Sequence, residues 1–107
     1  MALRQHLGYE RPMQSNSAVK VFAALGQETR LEALQLLAGA GEAGLAAGEI
    51  ARRLNIAQAT LSDHLAVLSR AGVVTSERRS RSIIYRANSP ILKDLQEFLK
   101  LVSDDMN

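Results

Sequence analysis

The sequence predicts a mostly α-helical domain that carries one β-hairpin, and three observations point to it. Two short amphipathic segments, residues 45–54 and 59–71, are separated by only a few residues. β-Branched residues then flank an arginine-rich polar stretch within residues 73–87. Aromatic residues make up only 4% of the chain, so the core must consist of Leu, Ala, Val and Ile. Together these features predict a winged helix-turn-helix of five helices and two antiparallel strands.

The N-terminal part of the chain predicts an arm followed by a short helix. Residues 1–14 contain a glycine and a proline that disfavour a long helix, so we expect a flexible arm there. Ser15 or Ser17 is the expected N-cap of the first secure helix, over residues 18–25. The inner face of this helix is predicted to carry Val21, Phe22 and Leu25.

A second helix is predicted over residues 28–37, with apolar side chains at helical spacing on its inner face: Leu31, Leu34 and Leu37. Residues 39–44 contain three alternating glycines. Their spacing fits no phosphate-binding motif and no Lys-Ser/Thr pair follows them, so a connecting loop is expected.

Residues 45–71 carry the predicted helix-turn-helix. The turn is expected over residues 55–58, with Ile56 pointing inward, and Gly72 is expected to end the second helix. Leucines at i, i+4 and i+7 form the inner stripe of that helix: Leu61, Leu65 and Leu68. Such a second helix fits the major groove of DNA and reaches base edges with its first residues. The expected DNA contacts are Gln58, Ala59, Thr60, Ser62, Asp63 and His64.

The hairpin that follows is the predicted wing. Strands are expected at residues 73–76 and 83–87, with a basic turn between them over residues 77–82. The arginines of this turn can contact phosphate or enter the minor groove. Residues 50–87 hold seven arginines against two carboxylates, a local charge of +5 in a chain of net charge +2. Positive charge is therefore concentrated where nucleic acid would be bound.

A last helix is predicted to start at Ser89 and Pro90, which suit an N-cap and a first helical position. Its apolar stripe is broad and consists of Ile91, Leu92, Leu95, Phe98, Leu99 and Val102. This stripe either packs back on its own domain or is covered by a second subunit, and we favour the second subunit because DNA reading by this motif usually uses two-fold symmetry. The domain is expected to span residues 15–103, with a tail at 104–107.

Composition excludes several classes of protein and site. The chain has no cysteine, which rules out disulfides and thiolate metal sites and fits a cytoplasmic protein. No stretch resembles a signal peptide or a membrane span. The two histidines are far apart, and no catalytic motif accompanies them, so an enzyme is not expected. The last helix offers carboxylates without a histidine, so no metal site and no cofactor is predicted.

Four segments in order resemble the ArsR-type winged-helix repressors. They are Phe22–Leu31, Gly48–Ala51, Ala59–Leu65 and Arg81–Arg86, and the likeness runs from about Val19 to Phe98. The resemblance implies a homodimeric repressor that blocks a promoter until a signal weakens DNA binding. It places Gln58, Thr60, Ser62 and His64 against DNA. It also makes Arg79 and Arg81 the expected wing contacts to DNA. It also implies a dimer interface formed by the first helix, with Val21, and by the last helix.

Two departures from that family pattern bear on function. Ala57 stands where the family usually has a hydroxyl N-cap for the recognition helix, and no cysteine is available for its arsenic, soft-metal or persulfide sensors. The signal could be a small organic inducer or a protein partner at the dimer interface, or there could be no inducer. The alternative function is a winged-helix protein-interaction module without specific DNA binding.

Overall fold

The computed structural model describes residues 13–106, which form five α-helices and one three-stranded sheet. The predicted winged helix-turn-helix is confirmed, with one strand more than expected. Residues 1–12, with His6 and most of the predicted arm, lie outside the described residues. In chain order the elements are α1 Ser15–Leu25, α2 Glu28–Ala40, a 3₁₀ turn Gly41–Ala43, β1 Leu45–Ala46, α3 Ala47–Leu54, α4 Gln58–Arg70, β2 Val74–Arg79, β3 Ser82–Ala87 and α5 Ser89–Asp104.

A single aliphatic core joins α1 to α4 and the start of β2. Its buried members are Val21, Ala24, Ala33, Leu34, Leu37, Ile50, Ala51, Leu61, Leu65, Leu68, Val73 and Val74. The predicted inner faces of the first two helices need correction. Phe22 and Leu31 were predicted to be in the core, but each is 43% exposed. Ala24 and Ala33 are buried in the core instead. Small residues there allow α1, α2 and α4 to approach closely.

The first two helices also differ from the prediction at their ends. α1 begins at Ser15, its N-cap is Gln14, and no side chain caps it, so the predicted serine cap is wrong. In α2 the N-cap is Gln27, whose Oε1 accepts a hydrogen bond from the Arg30 N–H at 2.9 Å. The helix extends three residues beyond its predicted end at Leu37, into the predicted loop, and ends at Ala40.

The unexpected strand is β1, which was predicted to be the first turn of α3. Leu45 pairs antiparallel with Tyr85, and Ala46 pairs with Ile84, so the sheet order is β1-β3-β2. Gly44 precedes β1 with φ +67°, and a Cβ there would lie 2.5 Å from the Tyr85 carbonyl oxygen. Glycine is therefore required for the close approach of β1 to the wing.

The turn between α3 and α4 lies where it was predicted. Asn55 adopts the left-handed conformation (φ 56°, ψ 49°), and the Ile56 N–H donates to the Ala51 carbonyl oxygen at 3.0 Å. Ile56 is half-buried against the core, as expected. At the other end of α4, Gly72 has φ +80° and the Val73 N–H donates to the Leu68 carbonyl oxygen at 2.9 Å. This pattern of hydrogen bonds ends the helix and starts β2.

The wing hairpin is longer and tighter than predicted. β2 and β3 each contain six residues, and Arg79 pairs with Ser82 across a turn of only two residues, Ser80 and Arg81. Ser80 takes a positive φ of 56°, a conformation that hairpin turns of this length require and that β-branched residues avoid. Residues 77–79 and Ser82, predicted as turn, are therefore strand.

The last helix packs on the domain through its first half only. Ile91, Leu92 and Leu95 lie against the core, whereas Leu99 is 47% and Val102 is 48% exposed. The N-cap is Asn88 instead of the predicted Ser89, and its Nδ2 donates to the Gly72 carbonyl oxygen at 2.7 Å. Within residues 13–106, no helix has the length and apolar content that a membrane crossing requires.

Replacement of Gly44 by alanine is expected to destabilise the domain by about 2 kcal/mol or more, because the backbone there is nearly glycine-only and the new Cβ meets Tyr85. Gly39→Ala is the matched control, since its Cβ would meet nothing within 4 Å in an exposed position of α2. That variant is expected to gain up to about 1 kcal/mol. Urea unfolding followed by circular dichroism measures both, and equal stabilities would contradict the role assigned to Gly44.

Candidate nucleic-acid interface

The recognition helix α4 is held by its inner leucines and presents polar residues outward. Leu61, Leu65 and Leu68 are each 1% exposed or less. The outer residues at the start of the helix are all exposed and include five of the predicted DNA contacts: Gln58, Ala59, Thr60, Ser62 and Asp63. Ala57 is the N-cap, extended at φ −68° and ψ 142°, and makes no side-chain cap bond, as expected for alanine.

A cleft of about 500 Å³ separates the start of α4 from the wing. Its lining residues come from β1, α3, α4 and the hairpin: Ala46, Ala47, Gly48, Gln58, Ser62, Arg81, Ser82, Ile83 and Tyr85. Three of the predicted contacts, Gln58, Ser62 and Arg81, are thus brought to one place. Ala59, Thr60, Asp63 and Arg79 do not line this cleft.

Six of the nine cleft residues were not predicted from the sequence, and three of these six matter for the geometry and chemistry of the cleft. Ser82 and Tyr85 lie on β3. Gly48 lies in the first turn of α3, so close to Gln58 that a Cβ on residue 48 would be 3.1 Å from Gln58 Nε2. Alternation along β3 could have indicated Tyr85, because Ile83 and Tyr85 share one face of the strand. The lining carries hydroxyl and amide groups and one guanidinium, and it contains no carboxylate. Such groups are those that proteins use against phosphates and base edges.

The wing arginines differ in how far neighbouring acids engage them. Arg79 Nε lies 3.5 Å from Glu77 Oε2, and Arg86 Nη1 lies 2.9 Å from Glu77 Oε1. The hydrogen bond from Arg86, followed by the charge of Arg79, lowers the pKa of the Glu77 carboxyl. Arg86 Nε also donates to the Glu42 carbonyl oxygen at 2.6 Å, which fixes β3 to the 3₁₀ turn. Arg81 forms no salt bridge with any residue between 13 and 106.

The two arginines of α3 are also paired with an acid. Arg52 Nη2 lies 2.5 Å and Arg53 Nε lies 2.6 Å from Glu49 Oε2. Their hydrogen bonds, that of Arg52 first, lower the pKa of Glu49 to about 2. The carboxylate stays ionised down to that pH, so much of the positive charge of α3 is compensated locally.

His64 is placed differently from the prediction, which had it on the exposed face of α4. Its ring is half-buried, and Nδ1 lies 3.3 Å from Arg30 Nη1. Arg30 Nε donates to the Ala24 carbonyl oxygen at 2.5 Å, so this one guanidinium joins α1, α2 and α4. Because a guanidinium only donates, His64 Nδ1 is the acceptor. The structure thus gives His64 a contact within the chain that sequence reasoning missed.

Metal binding has no obvious place in the described part of the chain. Across residues 13–106, no group of three or more His, Cys, Asp or Glu side chains is arranged to hold an ion.

Residues 25–77 match a family described as a helix-turn-helix domain. The chain is 36% identical over 74 residues to the transcriptional repressor SdpR of Bacillus subtilis, a match that covers 69% of this chain and 79% of that protein. It is 35% identical over 89 residues to the transcriptional activator HlyU of Vibrio cholerae, which covers 81% and 80%.

Solved structures agree with these sequence matches. An ArsR-like transcriptional regulator from Rhodococcus superposes with a TM-score of 0.75 at 33% identity, over 85% of this chain and 83% of that one. A homodimeric winged helix-turn-helix DNA-binding domain from Mycobacterium bovis, described as a possible ArsR-family regulator, superposes with a TM-score of 0.67 at 27% identity, over 85% and 82%. All of these relatives and neighbours are regulators of transcription or DNA-binding domains, and none is an enzyme.

Substitution of His64 by alanine is expected to lower stability by about 1–2 kcal/mol, because it removes a half-buried ring and the acceptor for Arg30. Asp63→Ala is the matched control: the side chain is exposed and its loss should change stability by less than about 0.5 kcal/mol. Thermal unfolding measures both variants. A stable His64→Ala protein that has lost sequence preference on DNA would instead identify His64 as a base contact.

Proposed function

Because the chain belongs to the ArsR family of winged helix-turn-helix transcriptional regulators, we propose that it is a homodimeric repressor that binds promoter DNA through α4 and the wing. The observation that carries this proposal is the cleft in which Gln58 and Ser62 of α4 meet Arg81 of the wing. The proposed repressor is not controlled by a thiol-based metal site, since the sequence contains no cysteine.

In the proposed complex, α4 enters the major groove and the wing follows the adjacent backbone. Gln58 carries an amide that can pair in bidentate fashion with an adenine edge. Ser62 lies one turn further along α4, on the same flank, and its hydroxyl suits a base or a phosphate. Arg81 at the tip of the hairpin is free to contact phosphate or enter the minor groove, whereas Arg79 forms a salt bridge with Glu77. We leave His64 out of the proposed contacts because Arg30 holds its ring.

The proposed dimer interface combines α5 with one face of α1. Leu99 and Val102 are about half exposed on the stripe of α5, which also carries the half-buried Phe98. Val21 was predicted for this interface, but it is 1% exposed and belongs to the core of its own chain. Val19 and Phe22, which are 63% and 43% exposed, are the apolar residues that α1 offers to a partner in its place.

Two further points support this assembly. Both α1 and α5 expose large apolar side chains, which supports an interaction surface on these helices. The similar domain from Mycobacterium bovis is homodimeric, which supports the same state here. A two-fold dimer would present two copies of α4 to successive major grooves, so the proposed operator consists of two half-sites about one helical turn apart.

Repression is proposed because a small dimer seated on a promoter excludes polymerase by occupancy alone. The chain resembles both a named repressor and a named activator, so the direction of control needs its own test. Transcription in vitro from the promoter upstream of the coding sequence, with and without the protein, gives that test. Increased transcript would overturn the repressor role and leave DNA binding intact.

Arg81→Ala is expected to weaken binding to the upstream DNA roughly tenfold at low salt and to reduce the log–log salt slope by about 0.9 per subunit, because one phosphate is no longer neutralised. Lys93→Ala on α5 removes the same charge away from the cleft and should leave both quantities unchanged. Arg79→Ala should have a smaller effect on DNA affinity than Arg81→Ala, because the charge of Arg79 is partly compensated by Glu77.

Fluorescence anisotropy on the upstream duplex and on a scrambled duplex, over a salt series, measures these effects. Equal affinities of the Arg81→Ala and Lys93→Ala proteins for both duplexes would favour a protein-interaction module over a DNA-binding repressor.

Leu99→Glu is expected to convert the proposed dimer to a monomer, because it places a charge in the centre of the apolar stripe of α5. Lys93→Ala, which lies outside the stripe and makes the same change in net charge, should remain dimeric. Sedimentation velocity gives the masses of both proteins. A monomeric wild-type protein, or a Leu99→Glu protein that is still dimeric, would show that α5 does not form the interface.

A further inference from the structure

A second groove lies on the other flank of α4, between this helix and α1. Its volume is about 650 Å³, within the usual range for small-molecule sites. The lining consists of four apolar residues and three cations: Ala23, Ala24, Val67, Ala71, Lys20, Arg30 and Arg70. The groove contains no lining carboxylate, and it shares no residue with the cleft beside the wing.

None of the three cations has an acidic partner in the described part of the chain. Lys20 and Arg70 are exposed and form none of the salt bridges found among residues 13–106, although the arginines of α3 and the wing do form such pairs. Arg30 donates to the carbonyl oxygens of Ala24 and Ala23, so its charge is directed to the end of α1. Lys20 from α1 and Arg70 from α4 thus add unpaired positive charge to both walls.

The floor between these cations is apolar. Ala24 is 2% exposed, and Val67 and Ala71 are half-buried against the core, so the groove bottom offers methyl groups and no hydrogen-bonding side chain. A simple inorganic anion would satisfy the cations and leave this floor wet. A purely apolar molecule would cover the floor and leave the charges without a partner. The lining is therefore complementary to a molecule with an anionic head and an apolar body.

The groove borders the proposed dimer face on α1. Val19 precedes the lining residue Ala23 by one turn, whereas Lys20 lies about 100° from Val19 and further still from Phe22 around α1. No residue of α5 lines the groove. A partner that covers Val19 and Phe22 would therefore lie beside Ala23, at one edge of the groove.

We propose that this groove binds a small amphipathic organic anion, such as a medium-chain carboxylate, with its apolar body on Ala23, Val67 and Ala71 and its carboxylate between Lys20 and Arg70. A bound anion neutralises positive charge on the recognition helix itself. Binding there would therefore weaken the attraction of α4 for DNA, a consequence that rests on the proposed function.

Isothermal titration of the full chain with decanoate, without DNA, tests the site directly. We expect saturable binding of one decanoate per chain and no binding of decyltrimethylammonium, which has the same chain length and the opposite charge. The double variant Lys20→Gln/Arg70→Gln should lose at least about tenfold in affinity. The matched double variant Arg78→Gln/Arg79→Gln removes two cations from the wing and should bind decanoate as the wild-type protein does.

A second variant changes the shape of the groove and not its charge. Ala23→Phe fills the space from an exposed position of α1, so it should keep the fold, which circular dichroism checks, and abolish decanoate binding. No saturable decanoate heat with the wild-type protein, equal affinity for the cationic probe, or equal losses in the two double variants would overturn the proposal.

The regulatory consequence is measured separately by anisotropy on the upstream duplex, with decanoate and then with decyltrimethylammonium. Weaker DNA binding only with decanoate supports it, and unchanged DNA affinity at saturating decanoate overturns it while the binding site stands. If instead Lys20→Gln/Arg70→Gln weakens DNA binding without decanoate while decanoate gives no heat, the two cations are DNA contacts and the anion site is refuted. If the wild-type protein does not bind the duplex at all in the absence of decanoate, the proposed function is contradicted, whereas the anion site is not.

Discussion

Burial of the three leucines of α4 determines the rest of the functional architecture. Leu61, Leu65 and Leu68 are almost completely excluded from water, and together they contribute several kcal/mol of transfer free energy, about 2 for each side chain. This fixes the rotation of the helix about its own axis. Gln58 and Ser62 then face the wing, whereas Val67 and Ala71 face α1. One apolar stripe thus creates an outward polar surface and two lateral grooves with different chemistry.

Arg30 connects this orientation to the remainder of the domain. Its guanidinium stands at the C-terminal end of α1, where the helix dipole favours a cation, and donates to the carbonyl oxygens of Ala24 and Ala23. The same guanidinium contacts His64 on α4, and the backbone N–H of Arg30 donates to the side chain of Gln27. Arg30 thus connects α1, which carries part of the proposed dimer face, to the recognition helix that is proposed to bind DNA.

The sequence was sufficient for the elements with strong local periodicity. The helix-turn-helix was predicted to within one residue at all but one end because its leucines, the left-handed Asn55 turn and Gly72 act locally. The exception was β1, which exists only because Leu45 and Ala46 pair with a strand almost forty residues away. His64 was misplaced for a related reason. A helical wheel cannot show which flank a neighbouring helix will cover, and here that cover comes from Arg30 on α2.

The predicted concentration of positive charge over residues 50–87 includes arginines that are paired with nearby acids. The sequence shows seven arginines in residues 50–87, but four of them lie within salt-bridge distance of Glu49 or Glu77. The other three fall in two places: Arg78 and Arg81 on the wing, and Arg70 beside the groove against α1. Surface pairs are weak, so the paired arginines still contribute to the long-range field. At short range, however, an anion meets uncompensated charge mainly at the hairpin tip and at the end of α4. The two sites thus have the same cause, since both lie where this small domain provides a cation without a neighbouring acid.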